Sequence, residues 1–322
     1  MTLEQPAAFH PINLAYNTVF KLARLSVGLV VPIESYAIGD VPGMHHHIER
    51  AQLAESLGFS AIWLRDVPFN VPSFGDAGQG FDPFVYLGAL ATQTSQIALG
   101  VSSLILPLRH PAHVAKAAAT ADVLSNGRLI LGIASGDRPE EYPALNIPFQ
   151  SRGERFRESY DYIRQVGAPA PQFNNAYGHV SGGIDMLPKP TAGRLPLLIT
   201  GACQQSSDWI ANNGDGWMTY PRNAVQQSQV INDYQARIEQ AGLTPKPVME
   251  PLYIDLVDDA DALPQPIHLG LRLGTHALLD YLKSREAIGV NHIALNLRFN
   301  KANTEQTLQT IASEILPTLN NS

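Results

Sequence analysis

The sequence lacks most of the features that would classify it at a glance. It carries one cysteine, Cys203, in 322 residues, so no internal disulfide can form and a disulfide-stapled scaffold is excluded. Charged residues make up only 16%, against roughly 25% in an average soluble domain. A chain so short of charge must bury much of its surface, and disorder and coiled coil are excluded. Its charges are 22 Lys and Arg against 29 Asp and Glu, a formal net charge of -7. There is no basic stripe, and phosphate-backbone binding needs clustered cations, so nucleic acid is not an expected partner. Long apolar runs are absent too. The longest, Leu25 to Ile33, is interrupted by Ser26 and Pro32 and falls far short of the roughly 20 residues of a membrane helix. Met1 to Leu25 holds no apolar core of signal-peptide length. The expectation is a soluble, reduced, cytoplasmic protein with no membrane partner.

What is present is an alternation of short strands and longer helices. Ser26 to Val31 reads as a strand and Met44 to Leu57 as a helix. They are followed by strand Ala61 to Leu64, helix Pro83 to Thr92, strand Ile97 to Leu106, helix Pro111 to Leu124 and strand Leu129 to Ile133. The helix Arg152 to Val166 repeats Phe156, Tyr160 and Ile163 at helical spacing. Ala168 to Arg194, rich in Pro, Gly and Asn, reads as an insertion with Gly182 and Gly183 inside a possible hairpin. The rhythm resumes with strand Leu197 to Thr200, helix Gln205 to Asn212, strand Gly216 to Thr219 and helix Ala224 to Ala241. It ends with strand Val248 to Val257, the Pro-rich Leu263 to Pro266, helix Thr275 to Ile288, strand His292 to Leu297 and helix Thr304 to Leu319.

Eight strand and helix pairs predict an α/β protein, a single (β/α)8 TIM barrel with insertions at the carboxyl-end loops. Residues 1–25 form an N-terminal arm, and 26–322 form the barrel with its insertion around 168–194. A doubly wound sheet is the alternative, but it would show a glycine-rich dinucleotide fingerprint after the first strand, where this chain has Pro32, Ile33 and Glu34. No P-loop, zinc-protease or nucleophile-elbow string occurs. The nearest, GIASG at 132–136, has its serine displaced by one position.

In a barrel, chemistry gathers where strands end at their carboxyl side. Arg65 and Asp66 follow the second strand, and Ser102 and Ser103 lie in the third. Ser135, Gly136, Asp137 and Arg138 follow the fourth. The fifth runs through Gly201, Cys203, Gln204 and Ser206 into a helix start, where backbone N–H groups and hydroxyls can hold an anion. The run His45, His46 and His47 does not read as a metal site, because consecutive helix residues point about 100° apart. No metal is expected.

The segment IALGVSSLILPLRHPAHVAKAAATADVLSNGRLILGIASG at 97–136 resembles the luciferase-like flavin monooxygenase family, the bacterial luciferase and alkanesulfonate monooxygenase group. The resemblance is carried by Leu106 and Pro107, His110 and Pro111, Asp122, Leu124, Ser125, Gly127 and Arg128, and Leu131 and Gly132. It extends more weakly from Glu55, Gly58, Phe59 and Trp63 to the stretch from Pro196 to Gly201, about half of the chain. It implies a barrel that holds reduced FMN, or in one branch a deazaflavin coenzyme, at the carboxyl end of the sheet. It also implies a non-proline cis peptide at Ser102-Ser103 under the flavin ring, and a phosphate site at Cys203, Gln204 and Ser206. A luciferase arginine after the fourth strand falls on Ser135, leaving Arg138 as the replacement cation. The luciferase histidine after the second strand falls on Val67, so general base chemistry of that type is not expected.

Several residues admit two readings. Arg65 and Asp66 are a structural ion pair or face the substrate, and Asp137 with Arg138 pair with each other or serve the cofactor or substrate. Cys203 is a reactive thiol or lends a backbone N–H to phosphate. His110 is a pocket contact or a structural imidazole, and Tyr220 is a flavin neighbour or a core aromatic. The loop Phe69 to Phe81 suits a lid that dries a flavin site, or is an ordinary loop. The alanine-rich helix Pro111 to Leu124 suggests close packing, in a homodimer as the resemblance implies or within the chain. The leading expectation is an FMN-dependent monooxygenase taking reduced FMN from a separate flavin reductase and acting with oxygen on a small organic substrate. Arg65, Asp66 and Asp137 are its candidate catalytic residues. The alternatives are deazaflavin-dependent hydride transfer and a non-catalytic flavin-binding protein.

Overall fold

Leu, Ile and Val dominate the short strands, and each strand hands the chain to a helix whose apolar face can lie back on the sheet. The computed structural model describes residues 8–36, 41–75, 78 and 80–320. In chain order the elements are α1 (Leu14–Val19), β1 (Ser26–Val30), α2 (His47–Ser56), β2 (Ala61–Leu64), α3 (Pro83–Gln93), β3 (Ala98–Ile105), α4 (Pro111–Leu124) and β4 (Leu129–Ala134). There follow α5 (Glu141–Ala144), α6 (Arg152–Val166), the hairpin β5 (Gln172–Asn175) and β6 (Gly178–Ser181), β7 (Leu197–Thr200), α7 (Ser207–Asn213), β8 (Gly216–Met218) and α8 (Ala224–Gln240). The chain closes with β9 (Val248–Leu256), β10 (Gln265–Ile267), β11 (Gly270–Leu273), α9 (Thr275–Ala287), β12 (His292–Asn296), α10 (Thr304–Glu314) and α11 (Leu316–Asn320).

Eight of the strands pair in parallel as β1-β2-β3-β4-β7-β8-β9-β12, and β12 pairs back onto β1, so the sheet is a closed (β/α)8 barrel. Alternation along each strand separates two cores. Ile62 and Leu64 of β2, with Leu129, Leu131 and Ile133 of β4, pack outward against the helices. Ala61 and Trp63 of β2, Ile130, Leu198, Met218 and Met249 point into the barrel. Phe9, Tyr16, Val19 and Phe20 of the arm join this inner cluster, so α1 lies across the amino end. Asn13 caps α1 through the Tyr16 N–H and donates from Nδ2 to Asp122 at 3.0 Å and to the Leu129 carbonyl at 2.7 Å. Residues 1–7 of the arm lie outside the described residues.

Trp63 fills the barrel axis, and its neighbour on β3 has to be Gly100, since a Cβ there would come within 2.2 Å of the indole. The indole Nε1 donates to His292 Nε2 at 2.8 Å, which makes Nδ1 the protonated nitrogen of the neutral ring. Nδ1 donates to Ser26 Oγ at 2.7 Å, and Ser26 donates to the Val19 carbonyl at 2.7 Å. His292 is completely buried, and burial pushes its pKa down to about 3. Above the ordinary value of 6.5 the folded and unfolded imidazoles are both neutral. As the pH falls below it, the unfolded chain binds a proton that the folded chain refuses. Stability is therefore expected to fall by about 1.4 kcal/mol per pH unit from this residue, about 2 kcal/mol by pH 5. Denaturant unfolding at about pH 7 and pH 5 checks it: His292→Gln should lose correspondingly less on acidification, and an equal loss in both proteins refutes the assignment.

One local expectation needs correction, and two open points are resolved among the described residues. The hairpin in the 168–194 segment turns at Ala176 and Tyr177, and Gly182 and Gly183 follow it, both at positive φ. The Pro-rich stretch around Leu263 opens a second hairpin, β10 and β11, whose β11 extends the sheet in parallel beside β9. The small face of α4 is consumed within the chain: Ala115, Ala118, Ala119 and Ala121 are buried, and α4 packs between α3 and α6.

Candidate functional site

The third strand builds the floor of the site. β3 pairs with β4 at Val101 and Leu131 and again at Leu104 and Ile133, so three steps on β3 face two on β4 and one residue is extra. The bulge is at Ser102 and Ser103, whose peptide bond is cis. Both serines are half-buried and open into a cavity of about 280 Å³ at the carboxyl end of the barrel, close to the lower bound of roughly 300 Å³ for small-molecule sites. Ser103 Oγ is hydrogen-bonded to Thr200 Oγ1, and Thr200 donates to the Met218 thioether at 3.2 Å. Met218 occupies this position because β4 carries Gly132 opposite it, where a Cβ would lie 2.4 Å from the sulfur. Met249 and Ile105 add apolar wall. The floor is therefore apolar with a line of hydroxyls along one side.

The mouth is charged. Arg65, Asp66, Ser135, Asp137 and Arg138 line it together with Tyr220. Asp66 is buried and fully engaged: it accepts the Ile105 N–H at 3.0 Å and a two-pronged contact from Arg109, at 3.2 Å from Nε and 2.8 Å from Nη2. Arg109 reaches onward to Asp82, the N-cap of α3, at 2.9 Å. The Asp66 carboxylate thus ties the end of β2 to the end of β3, which is a shaping role. Asp137 is exposed, whereas Arg138 is buried, with its guanidinium 4.2 Å above the Phe74 ring and its Nη1 3.7 Å from Glu141. Ser135 is buried, and its carbonyl accepts the Tyr142 hydroxyl.

The three residues expected to hold phosphate after the fifth strand are not among those lining the cavity. Gly201, Cys203 and Gln204 all have positive φ, which coils the chain back toward α6. The Gln204 side chain packs where a Cβ on Gly153 would sit. Cys203 is buried, bonded to the Thr200 carbonyl at 2.9 Å, and burial pushes its thiol up to about 12. Burial of this kind disfavours the thiolate, and the geometry gives no support to a reactive Cys203. Ser206 caps α7 by accepting the Trp209 N–H. His110 is likewise structural: it is the N-cap of α4, accepting the Ala112 N–H at 3.2 Å. Tyr220 is 58% exposed at the cavity mouth and is no core aromatic. In the triple-histidine run His46 stands at positive φ just before α2, and no metal-binding cluster occurs among the described residues. Of the candidate lid, Phe69 to Gly75, Gly78, Gly80 and Phe81 are described, while residues 76, 77 and 79 lie outside the described residues.

Sequence reasoning missed Thr200, Met218 and Met249, which precede or lie within strand ends without any motif. It also gave no role to Glu141, although the residue stood in the charged string after the fourth strand. The signal that would have found Glu141 is its spacing of three from Arg138, one helical turn.

Fold and cavity together define a (β/α)8 barrel with its site at the carboxyl end of the strands. The family model for luciferase-like monooxygenases matches residues 25–262, and the chain belongs to that family, whose members are flavin- or F420-dependent oxidoreductases. An uncharacterised protein of Mycobacterium tuberculosis is 31% identical over 211 residues, covering 60% of this chain and 74% of that one. The oxygenase component of the flavin-dependent trigonelline monooxygenase of Acinetobacter baylyi is 32% identical over 152 residues, 47% of this chain and 39% of that one. A solved F420-dependent secondary alcohol dehydrogenase superposes with a TM-score of 0.74 at 16% identity, covering 92% of this chain and 99% of that one. No helix among the described residues is long and apolar enough to cross a membrane.

Proposed function

We propose that this chain is the oxygenase of a two-component system, taking reduced FMN from a separate flavin reductase and using oxygen on a small organic substrate. The donor set of the cavity carries the flavin part of this reading, and the likeness to the trigonelline monooxygenase oxygenase component supports the FMN and oxygen part. A flat apolar floor bounded by Met218 and Met249, a line of hydroxyls from Ser103 and Thr200, and a buried cation at the mouth suit a planar heteroaromatic ring with a polar edge and an anionic tail. A bound flavin supplies the redox chemistry. The chain's own residues do the rest. Ser102 and Ser103 seat the ring and the Thr200 hydroxyl steadies that seat. Arg138 holds the phosphate, and Asp66, locked by Arg109, fixes the wall against which the substrate lies. Asp137 and Arg65 remain at the mouth to meet a polar substrate. Cys203, Gln204 and Ser206 support the loop from behind. Phe74, held under Arg138, excludes water from the mouth. The homodimer rests on the family resemblance, since the alanine face that suggested it is covered by the chain itself.

The second reading, hydride transfer with the deazaflavin F420, draws on the relatives that use this coenzyme, and the donor set suits that ring equally. Titration of the purified protein with FMN and with F420, followed by flavin fluorescence, separates the two. FMN is expected to bind more tightly than about 100 μM, or roughly −5.5 kcal/mol, and reduced FMN should yield an oxygenated product from a substrate panel only when oxygen is admitted. Tight binding of F420 without FMN binding moves the assignment to hydride transfer, and binding of neither flavin removes both.

A further inference from the structure

Glu141, the first residue of α5, has no solvent exposure, and neither of its carboxyl oxygens has a hydrogen-bond partner among the described residues. Burying a carboxylate without donors is costly unless a cation stands close or the group takes a proton. The cation here is Arg138 Nη1, 3.7 Å away, too far for a hydrogen bond but close enough for charge to matter. Arg138 is itself buried and lines the cavity, with Phe74 against its face. One guanidinium therefore stands between a buried carboxyl on one side and the open cavity on the other.

We propose that Arg138 is the anion subsite of this cavity and that Glu141 is its proton-coupled counter-charge, so that an anion entering from the cavity side drives Glu141 to take up a proton. The proposal rests on the flavin reading only for the source of the anion, the cofactor phosphate. An anionic substrate would engage the same pair by the same chemistry.

The direction follows from the groups around the carboxyl. Burial pushes Glu141 up, the Arg138 charge draws it down with a smaller pull from the nearby Phe69 N–H, which makes no hydrogen bond to it, and the Asp66 charge pushes it up again. Asp66 already shares its charge with Arg109. Tyr142 follows Glu141 in α5, with Arg152 and Arg155 of α6 acting on it from the other side, and Asp137 and Arg65 complete the charged groups of the mouth. An anion bound to Arg138 weakens the main downward pull, and the carboxyl rises further. Within the window between its free and bound values, affinity should increase as the pH falls, by up to about tenfold per pH unit. A phosphate ligand has the opposite trend of its own, because its second ionisation near a pKa of about 6 strengthens binding as the pH rises.

Isothermal titration of the full chain with FMN, riboflavin and inorganic sulfate, from about pH 6 to 8.5 and in two buffers of different ionisation enthalpy, tests this. Sulfate does not titrate in that range, and riboflavin has the ring without the phosphate. The expected results are net proton uptake of a fraction of one proton with sulfate and FMN, none with riboflavin, and sulfate affinity that falls as the pH rises. Glu141→Gln should bind sulfate and FMN with no proton uptake and a flat sulfate profile, and most tightly relative to wild type at high pH. Arg138→Gln should remove the advantage of FMN over riboflavin. Proton uptake unchanged in Glu141→Gln overturns the proposal, as does absence of uptake in the wild-type chain, which needs no variant. If neither flavin binds while sulfate still shows Glu141-dependent uptake, the subsite stands and the flavin reading falls. If flavin binds without uptake, the reverse holds.

Discussion

Replacing Glu250 with alanine is expected to destabilise the fold by about 3–5 kcal/mol, a drop in melting temperature on the order of 10 °C. Glu250 lies on β9 and points away from the cavity, between Met249 and Pro251, which face it. Its carboxylate receives Arg285 from α9 in a two-pronged contact, Nε to Oε2 at 2.9 Å and Nη2 to Oε1 at 2.7 Å. The side chains are 1% and 2% exposed. Arg285 Nη1 also donates to the Arg222 carbonyl at 3.0 Å, so one guanidinium joins β9, α9 and the segment before α8. The planar fork and the carboxylate match in geometry, which is why the pair is tolerated in a place where either charge alone is not. Removing the carboxylate leaves the cation buried with one carbonyl, and that uncompensated charge is the source of the cost. The double variant Glu250→Met with Arg285→Leu should recover most of the loss, because an apolar pair of similar volume needs no desolvation. Denaturant unfolding of the two single variants and the double variant measures it. Single variants within about 1 kcal/mol of wild type would show that the pair does not carry this joint.

The barrel was readable because its signal is repeated. Most of the eight strands are short apolar runs rich in Leu, Ile and Val, each followed by a helix-period segment, and an error in any one boundary leaves the count intact. The hairpin of β10 and β11 was not readable: it lies in a stretch with two prolines, only Leu273 of its strand residues is buried, and edge pairing of this kind leaves no alternation to detect. The role of the arm was equally hidden. Phe9, Tyr16, Val19 and Phe20 look like any apolar residues ahead of a first strand, and only the closed barrel shows that they fill its amino end.

The site was legible to the extent that strand ends are. Arg65, Asp66, Ser102, Ser103, Ser135, Asp137 and Arg138 do meet around one cavity, because barrel topology forces the residues after successive strands to converge. Partner choice was not legible. That Asp66 is held by Arg109, 43 positions on, and Arg138 by Glu141 and Phe74, depends on rotamers and loop paths that no spacing encodes. Cys203, Gln204 and Ser206, in the loop after the fifth strand, stand outside that cavity lining for a related reason. Positive φ at two non-glycine residues, Cys203 and Gln204, turns the loop toward α6, and nothing in those side chains announces such a backbone.

Part of the motif that carried the resemblance, from Asp122 to Arg128, lies at the other end of the barrel, just before β4 begins, and the second large effect is expected there. Arg128→Met should cost about 3–5 kcal/mol while leaving the cavity 's own residues in place. The Arg128 guanidinium is buried under the turn that joins α3 to β3 and donates to the Ser125, Ile97, Ala91 and Thr94 carbonyls and to Thr94 Oγ1, all between 2.8 and 3.0 Å. Glu55 serves the same turn from its other polarity, accepting the Ser95, Gln96 and Ile97 N–H groups. One side chain takes the carbonyls of the turn and the other takes its amides, and Glu55 also supports the charge of Arg128, which burial alone would weaken. Asp122, near the end of α4, gathers Asn13 and Thr191 and so fastens the arm and the insertion to that end. A methionine in place of Arg128 fills the volume but leaves four carbonyls without their donor. Lysine restores the charge but not the fork, and should recover less than half of the loss. Chemical unfolding of Arg128→Met and Arg128→Lys, with flavin titration of each below its melting temperature, separates the roles. The expected outcome is a large loss of stability with ligand affinity within about twofold of wild type, a difference of roughly 0.4 kcal/mol. A variant that keeps its stability but loses the ligand would place Arg128 in the site and overturn the scaffold assignment.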